Sequence, residues 1–172
     1  MSGAAAIRAA TAADAAALAR IYNYYITDTV VTFEESPVSA VDMASRLAET
    51  DALELPWLVA QSGAEMLGYA YASRWKGRCA YRHSVEVTVY IEREAVGRGL
   101  GTQLYTALFA ELRRGSCHVA IGGITLPNEA SVALHEKFGM HKVAHFSEVG
   151  YKFGHWLDVG YWQLVLPAAV AG

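Results

Sequence analysis

The chain has 172 residues, of which 53% are hydrophobic and 18% are charged, and its formal net charge is −3. This length fits one globular domain whose core needs no disulfide or metal to hold it. The weak negative charge and the scattered basic residues argue against binding to nucleic acid or anionic membranes, and no run of about 18 apolar residues predicts a membrane span. Cys79 and Cys117 form no Cys-x-x-Cys pair, which suits a reducing cytoplasm and gives no zinc motif.

The first half of the chain predicts a strand, two helices and then three strands. The predicted segments are residues 7–9, 11–26, 39–48, 57–60, 66–75 and 84–91, in chain order. Both helices begin with a pattern close to a capping box, Thr11 with Asp14 and Ser39 with Asp42. Apolar residues alternate along 84–91, which is typical of a strand.

The second half predicts alternating strands and helices. A leucine at every fourth position from Leu100 to Leu112 indicates an amphipathic helix. The segments that follow are a strand at 118–126, a helix from Asn128 to about Phe138, and strands at 141–147 and 160–166. Together the elements predict a mixed α/β fold in a single domain spanning 1–172, with its core at about 7–166 and a frayed tail after Leu166.

A glycine turn, Gly97-Arg98-Gly99-Leu100-Gly101, lies between a predicted strand and the leucine helix. The first amides of a helix have no internal partners, and the helix dipole favours an anion there. The turn is not a P-loop, because Gly101 is followed by Thr102-Gln103 without lysine, and it lacks the Rossmann spacing. Taken alone, it is either a phosphate site or a flexible link that binds nothing.

Several segments in collinear order carry a resemblance to a known family. They are residues 7–14, 23–26, 56–60, 75–81, 84–91, 98–101, 126–140 and 150–160. The chain resembles the GNAT acetyltransferase superfamily over about residues 7–166. More narrowly, it is similar to the phosphinothricin and methionine sulfoximine N-acetyltransferases.

The resemblance implies a mixed, mostly antiparallel central sheet flanked by helices, in which two splayed strands form a cleft for acetyl-CoA. It also implies a homodimer. The histidines other than His135 show no ligand spacing, so no metal site is expected. The residues it assigns to acetyl-CoA are Val89, Tyr90 and Ile91 at the acetyl and pantetheine end, Gly97, Arg98, Gly99, Leu100, Gly101 and Thr102 at the pyrophosphate, Asn128 at the pantetheine arm and Lys137 at the far end. Val96 departs from the family's Gln or Arg, so backbone amides are expected to hold the pyrophosphate.

Acetyl transfer to an amine requires removal of a proton and a donor to the developing oxyanion. By the resemblance, Glu86 is the base and a backbone N–H near Tyr90 or Ile91 is the donor. Strand alternation puts Glu86, Thr88 and Tyr90 on one face, opposite the valines. His135 is the candidate for protonating the thiolate or assisting deprotonation. The alternatives are a surface carboxylate for Glu86 and a surface imidazole for His135.

The acceptor is expected to be a small amino-acid-like molecule. A planar guanidinium suits its carboxylate, and Arg78 is the candidate. The positions that the resemblance assigns to the acceptor are Phe33, Lys76, Gly77, Arg78, Tyr81, Glu86, Val87 and Thr88. A peptide or protein N-terminal acetyltransferase and a non-catalytic acyl-CoA sensor remain open alternatives.

Overall fold

The computed structural model describes residues 5–167, which form a seven-stranded sheet and four α-helices. The elements are β1 (Ala6–Ala9), α1 (Ala15–Asp28), α2 (Ala40–Ala52), β2 (Trp57–Ser62), β3 (Glu65–Arg74), β4 (Ser84–Ile91), α3 (Leu100–Arg114), β5 (Val119–Leu126), α4 (Glu129–Lys137), β6 (His141–Lys152) and β7 (His155–Val165). The predicted α/β class and order of elements are confirmed.

The sheet has the order β1-β2-β3-β4-β5-β7-β6, and all neighbours are antiparallel except β4 and β5. This parallel pair registers only from Ser84 with Val119 to Glu86 with Ile121. The strands then separate, although β4 continues to Ile91 and β5 to Leu126. The predicted splayed cleft is therefore present in the middle of the sheet.

Alternation along β4 divides the interior into two hydrophobic cores. Val85 and Val87 pack with α3, whose buried stripe includes Leu104 and Leu108. Tyr90 faces the other way and packs among residues of α1 and β3. Burial of each leucine of the stripe contributes about 1.5–3 kcal/mol, which fixes α3 across the strands that lead into the cleft.

Both predicted helix starts are confirmed. The Asp14 carboxylate accepts from the Thr11 N–H at 2.7 Å, and a short 3₁₀ turn separates this cap from α1. Asp42 accepts from the Ser39 N–H at 2.8 Å at the start of α2. The helices extend to Asp28 and Ala52, beyond the predicted ends, because neither end carries the glycine or proline that would mark it in the sequence.

The last two strands are longer than predicted. They form a hairpin whose turn is Phe153-Gly154, with φ values of 51° and 77°. A bulge shifts the register between Phe146 and Gly150, and the Asp158 carboxylate fixes it by accepting from the Glu148 N–H at 2.8 Å. Since the bulge interrupts alternation, the sequence pattern predicted only the outer parts of this hairpin.

Three smaller expectations concern the thiols, a membrane span and the C-terminal tail. Both cysteines are free. No helix in the described part of the chain is long and apolar enough to cross a membrane. Of the tail that was expected to be frayed, residues 168–172 lie outside the described residues.

Candidate active site

The cleft between β4 and β5 exposes backbone amides of β4. Glu92 donates to the Leu67 carbonyl at 2.8 Å, which extends the β3–β4 ladder by one residue. Because inward and outward amides alternate along a strand, the N–H groups of Val89 and Ile91 face the cleft and that of Tyr90 faces β3. Of the two amides expected to donate to the oxyanion, that of Ile91 faces the cleft, as does that of Val89, whereas that of Tyr90 is paired with β3.

A tyrosine of α1 occupies part of the space that β5 leaves at the open end of the cleft. The Tyr25 hydroxyl donates to the Ile91 carbonyl at 2.6 Å, and its ring lies 4.9 Å from that of Tyr90. This bond satisfies a carbonyl that has lost its strand partner. It also fixes the orientation of the last peptide of β4.

The glycine turn has the backbone geometry of an anion site. Gly97 and Gly99 adopt φ values of 82° and 76°, in the left-handed region that favours glycine. The helix α3 begins directly after Gly99, so its first amides are free of helical partners. A Cβ on Gly101 would lie 3.1 Å from the Leu134 side chain, so this glycine allows α3 and α4 to approach closely.

A cavity of about 350 Å³ lies over this turn and reaches Ile91 of the cleft. Its far wall contains Lys137, whose ammonium donates to the Thr102 hydroxyl at 3.3 Å. Val96 borders it and is 63% exposed. The Arg98 guanidinium does not line this cavity and instead donates to a backbone carbonyl at 2.8 Å. Backbone and Lys137 therefore supply the positive character of this cavity.

Asn128 caps α4, as the sequence predicted. Its Oδ1 accepts from the Ser131 N–H at 3.1 Å, which leaves the amide Nδ2 to act as a donor. The residue borders a second cavity of about 380 Å³ beside the end of β5. A larger cavity of about 820 Å³, between β1 and α2, contains none of the predicted site residues.

Glu86 lies at the point where β4 and β5 separate. A Cβ on Gly123 would be 3.3 Å from Glu86 Oε1 and 3.1 Å from the Tyr161 ring, so the glycine makes room for both side chains. No group between residues 5 and 167 donates a hydrogen bond to this carboxylate. Burial raises the pKa of Glu86, and the nearby Lys76 charge opposes that rise. The carboxylate is therefore partly desolvated, which disfavours the surface alternative.

His135 is buried, with 4% of its surface exposed, so the surface alternative for it is wrong. Its Nδ1 lies 2.7 Å from the Ser131 carbonyl, which only accepts, and therefore carries the proton. Its Nε2 then accepts from the Tyr105 hydroxyl at 3.1 Å. Burial lowers the pKa of His135, despite the opposing bond to Ser131. The lowered pKa keeps the ring neutral.

Glu86 and His135 lie on opposite faces of the sheet, each next to one of two adjacent glycines of β5. A Cβ on Gly122 would lie 2.5 Å from His135 Nε2, whereas the next residue, Gly123, faces Glu86. Glu86 is nevertheless close enough to add to the rise in the pKa of Tyr105, which burial mainly causes. Only the thickness of the splayed strand pair separates the carboxylate from the tyrosine–histidine pair.

The predicted acceptor residues are only partly brought together. Val87 is 3% exposed and its side chain faces α3, so alternation leaves only its backbone for contact with an acceptor on the Glu86 face. Thr88 lies on the Glu86 face. Lys76, Gly77, Arg78 and Tyr81 lie in the exposed segment before β4. The Arg78 guanidinium forms no ion pair or hydrogen bond within the described chain.

Sequence reasoning missed several residues around Glu86 and His135. Tyr105 lies beside the leucine stripe of α3 and reads as an ordinary core residue. Tyr161 packs edge-on against Trp75 at 5.5 Å and forms an aromatic wall next to Glu86. The consecutive glycines in β5 are the signal that was available, because glycine inside a strand marks close approach of another group.

Comparison with known proteins agrees with this geometry. Residues 7–160 match the family described as "Acetyltransferase (GNAT) domain". The phosphinothricin N-acetyltransferase of Streptomyces viridochromogenes is 41% identical, with 94% of this chain and 89% of that protein covered. The L-methionine sulfoximine/L-methionine sulfone acetyltransferase of Salmonella typhimurium is 37% identical, with 96% of each covered.

A solved structure is similar over nearly the whole chain. A GNAT superfamily phosphinothricin acetyltransferase from Sinorhizobium meliloti, in complex with acetyl-CoA, has a TM-score of 0.93 and 33% identity over 99% of this chain and 92% of that one. The splayed sheet, the glycine turn and these matches define an acyltransferase. The chain belongs to the GNAT acetyltransferase family. Between residues 5 and 167 there is no cluster of three side chains able to hold a metal ion.

Proposed function

We propose that this enzyme transfers the acetyl group of acetyl-CoA directly to the α-amine of an amino-acid-like acceptor, of the phosphinothricin or methionine sulfoximine type. The observation that carries the proposal is the Glu86 carboxylate, which lacks a hydrogen-bond donor within residues 5–167 and lies beside the opening of the cleft. The named activities of the relatives support the choice of acceptor.

The cosubstrate is expected to lie along the cleft with its diphosphate at the glycine turn. The cavity there joins the free amides of α3 to Lys137 and to Ile91 of β4. The Asn128 side-chain Nδ2 donates to no group within residues 5–167 and is available to the pantetheine arm. The Val89 and Ile91 amides then face the thioester carbonyl, where one oxyanion donor is worth about 3–4 kcal/mol of barrier.

Glu86 is the proposed base. The acceptor ammonium loses a proton to Glu86, directly or through water, and its nitrogen then bonds to the thioester carbon. As the C–S bond breaks, the electron pair leaves with the CoA thiolate, and the nitrogen loses its second proton to that thiolate or to solvent, which leaves a neutral amide. The raised pKa of Glu86 brings its basicity closer to what proton removal from an amine requires.

His135 is proposed to act through Tyr105. Its proton is on Nδ1, so in this state Nε2 accepts and does not deliver a proton. This arrangement favours orienting the Tyr105 hydroxyl over acting as the acid for the thiolate. Since thiolates are stable near neutral pH compared with alkoxides, CoA leaves without requiring a strong acid.

A homodimer in the cytoplasm is part of the proposal. The hairpin of β6 and β7 presents Tyr151, Phe153 and Trp156 with 54–64% of their surface exposed, whereas Trp162 is buried in the core. Exposed aromatic side chains grouped on one hairpin are typical of an interaction surface.

The peptide-acetylating alternative requires an open groove, and the exposed segment around Arg78 is compatible with it.

The test is release of CoA, detected with a thiol reagent, from acetyl-CoA and a panel of free amino acids, phosphinothricin, methionine sulfoximine and short peptides. We expect turnover with the free amino-acid analogues. Acetylation of peptides but of no free amino acid would favour the peptide N-terminal acetyltransferase instead. Binding of acetyl-CoA without any turnover would leave only the sensor.

Glu86→Gln tests the base. We expect kcat to fall at least about 100-fold, the lower end of what general bases contribute, while the KM for acetyl-CoA changes little. In the parent enzyme, kcat/KM should rise with pH through the raised pKa of Glu86, because only the ionised carboxylate accepts a proton. The variant should lose that rise. Exposed Glu65→Gln is the matched control, and equal activity of the two variants would remove Glu86 from the mechanism.

A further inference from the structure

Lys152 is a buried lysine that the proposed chemistry does not use. Only 2% of its surface is exposed, although it lies next to the turn of the β6–β7 hairpin. Its ammonium donates to the Thr32 carbonyl at 2.7 Å and lies 5.0 Å from the centre of the Phe153 ring. Burying an ammonium is costly unless its bonds repay the lost hydration, so a lysine here calls for a specific role.

The segment that Lys152 contacts is the connection between α1 and α2, residues 29–39, here called the acceptor loop. The loop has no helix or strand of its own. Its other ties lead back to the helices: the Tyr22 hydroxyl lies 2.8 Å from that of Thr32, and Arg46 pairs with Glu34 at 2.7 Å. Within the described residues, Lys152 makes the one hydrogen bond between the loop and the β6–β7 hairpin.

The same hairpin provides a seat for the next residue of the loop. Phe33 lies against Gly150, where any Cβ would overlap its ring. Phe33 is 41% exposed, so one edge of the ring remains open to solvent. Gly150 and Lys152 point to the same face of β6, which gives the loop two adjacent contacts on the hairpin.

We propose that Lys152 is a positioning residue that sets acceptor affinity by tethering the acceptor loop to the hairpin and holding Phe33 in its seat. This inference rests on the proposed function and on the acceptor position that the family resemblance assigns to Phe33. Neither Lys152 nor Gly150 lines the cavity over the glycine turn or the cavity beside Asn128, so replacing either residue leaves the proposed acetyl-CoA site intact.

The experiment compares Lys152→Met with Lys142→Met. Both lysines belong to β6, but Lys142 is exposed and away from the loop. For Lys152→Met we expect the acceptor KM to rise about tenfold, equivalent to about 1.4 kcal/mol. The KM for acetyl-CoA should change by less than about twofold, which is much less than the change expected for the acceptor. Amide hydrogen exchange should accelerate in residues 29–36 and stay unchanged in β3 and β4. Lys142→Met should behave like the parent.

Gly150→Ala is a second variant that unseats Phe33 without removing the ammonium, and it should raise the acceptor KM in the same way. Unchanged acceptor KM and unchanged loop exchange in Lys152→Met would overturn the tether. Equal increases in both KM values would overturn it too, since they indicate a general structural role. If the parent enzyme acetylates no free amino acid, the proposed function fails, while the exchange measurement still decides whether the tether exists.

Discussion

Replacement of Gly122 by alanine tests whether the tyrosine–histidine pair takes part in the reaction. The new methyl group would lie 2.5 Å from both Cδ2 and Nε2 of His135, where no real Cβ is tolerated. The neighbour is a ring held by the Ser131 carbonyl on one side and by Tyr105 on the other, at 2.7 Å and 3.1 Å. The ring must therefore move, and its bond to Tyr105 must lengthen or break.

Gly122→Ala is expected to lower both the stability of the protein and the rate of the reaction. Overpacking of this kind costs about 1–3 kcal/mol, and in a domain of this size each kcal/mol lowers Tm by about 2–4 °C. If the His135–Tyr105 bond orients a hydroxyl in the cleft, kcat should also fall at least about tenfold, the loss expected for about 1.4 kcal/mol of positioning. The KM for acetyl-CoA should change much less, because the glycine turn is untouched.

Gly115→Ala is the matched control, and Gly123→Ala tests the opposite face of the same strand. The methyl group on Gly123 faces Glu86 and Tyr161, at 3.3 Å and 3.1 Å, and should disturb the acid limb of the pH profile. The methyl group on Gly115 meets nothing closer than 3.8 Å and should leave activity unchanged. Tm and steady-state rates would be measured for all three. A Gly122→Ala enzyme with a lowered Tm and full kcat would refute a catalytic contribution of His135 and leave it a packing role.

Two further substitutions concern acetyl-CoA. Tyr25→Phe removes the hydrogen bond to the Ile91 carbonyl and should raise the KM for acetyl-CoA about three- to tenfold, as expected for one lost hydrogen bond. Tyr24→Phe is the control and should have no effect, because the Tyr24 hydroxyl forms no hydrogen bond within residues 5–167. Equal KM values in the two variants would contradict the role of Tyr25. Val96→Arg places a guanidinium at the exposed edge of the glycine turn and should lower the KM for acetyl-CoA about tenfold at low ionic strength. The gain should shrink as salt is added, and a salt-independent KM equal to that of the parent would show that the diphosphate lies elsewhere.

The local elements could be predicted from the sequence because short-range patterns determine them. The capping residues before α1 and α2, the leucines of α3 and the alternation of β4 each depend on neighbours within about one turn or two residues. The part of the β6–β7 hairpin nearest its turn was missed for the same reason. Its bulge depends on Asp158, ten residues from the Glu148 amide that it fixes, and no local pattern records that bond.

The site shows the same division. The sequence indicated Glu86, His135 and the glycine turn by their resemblance to a family, but it did not place them relative to one another. Only the tertiary structure decided that Glu86 and His135 lie on opposite faces of β5. It alone also decided that Tyr90 turns its amide away from the cleft and that Lys152 reaches the acceptor loop. These facts follow from where β4 and β5 separate and from contacts between residues as much as 120 positions apart. Local propensity and spacing carry no information about such contacts, because packing of the complete sheet creates them.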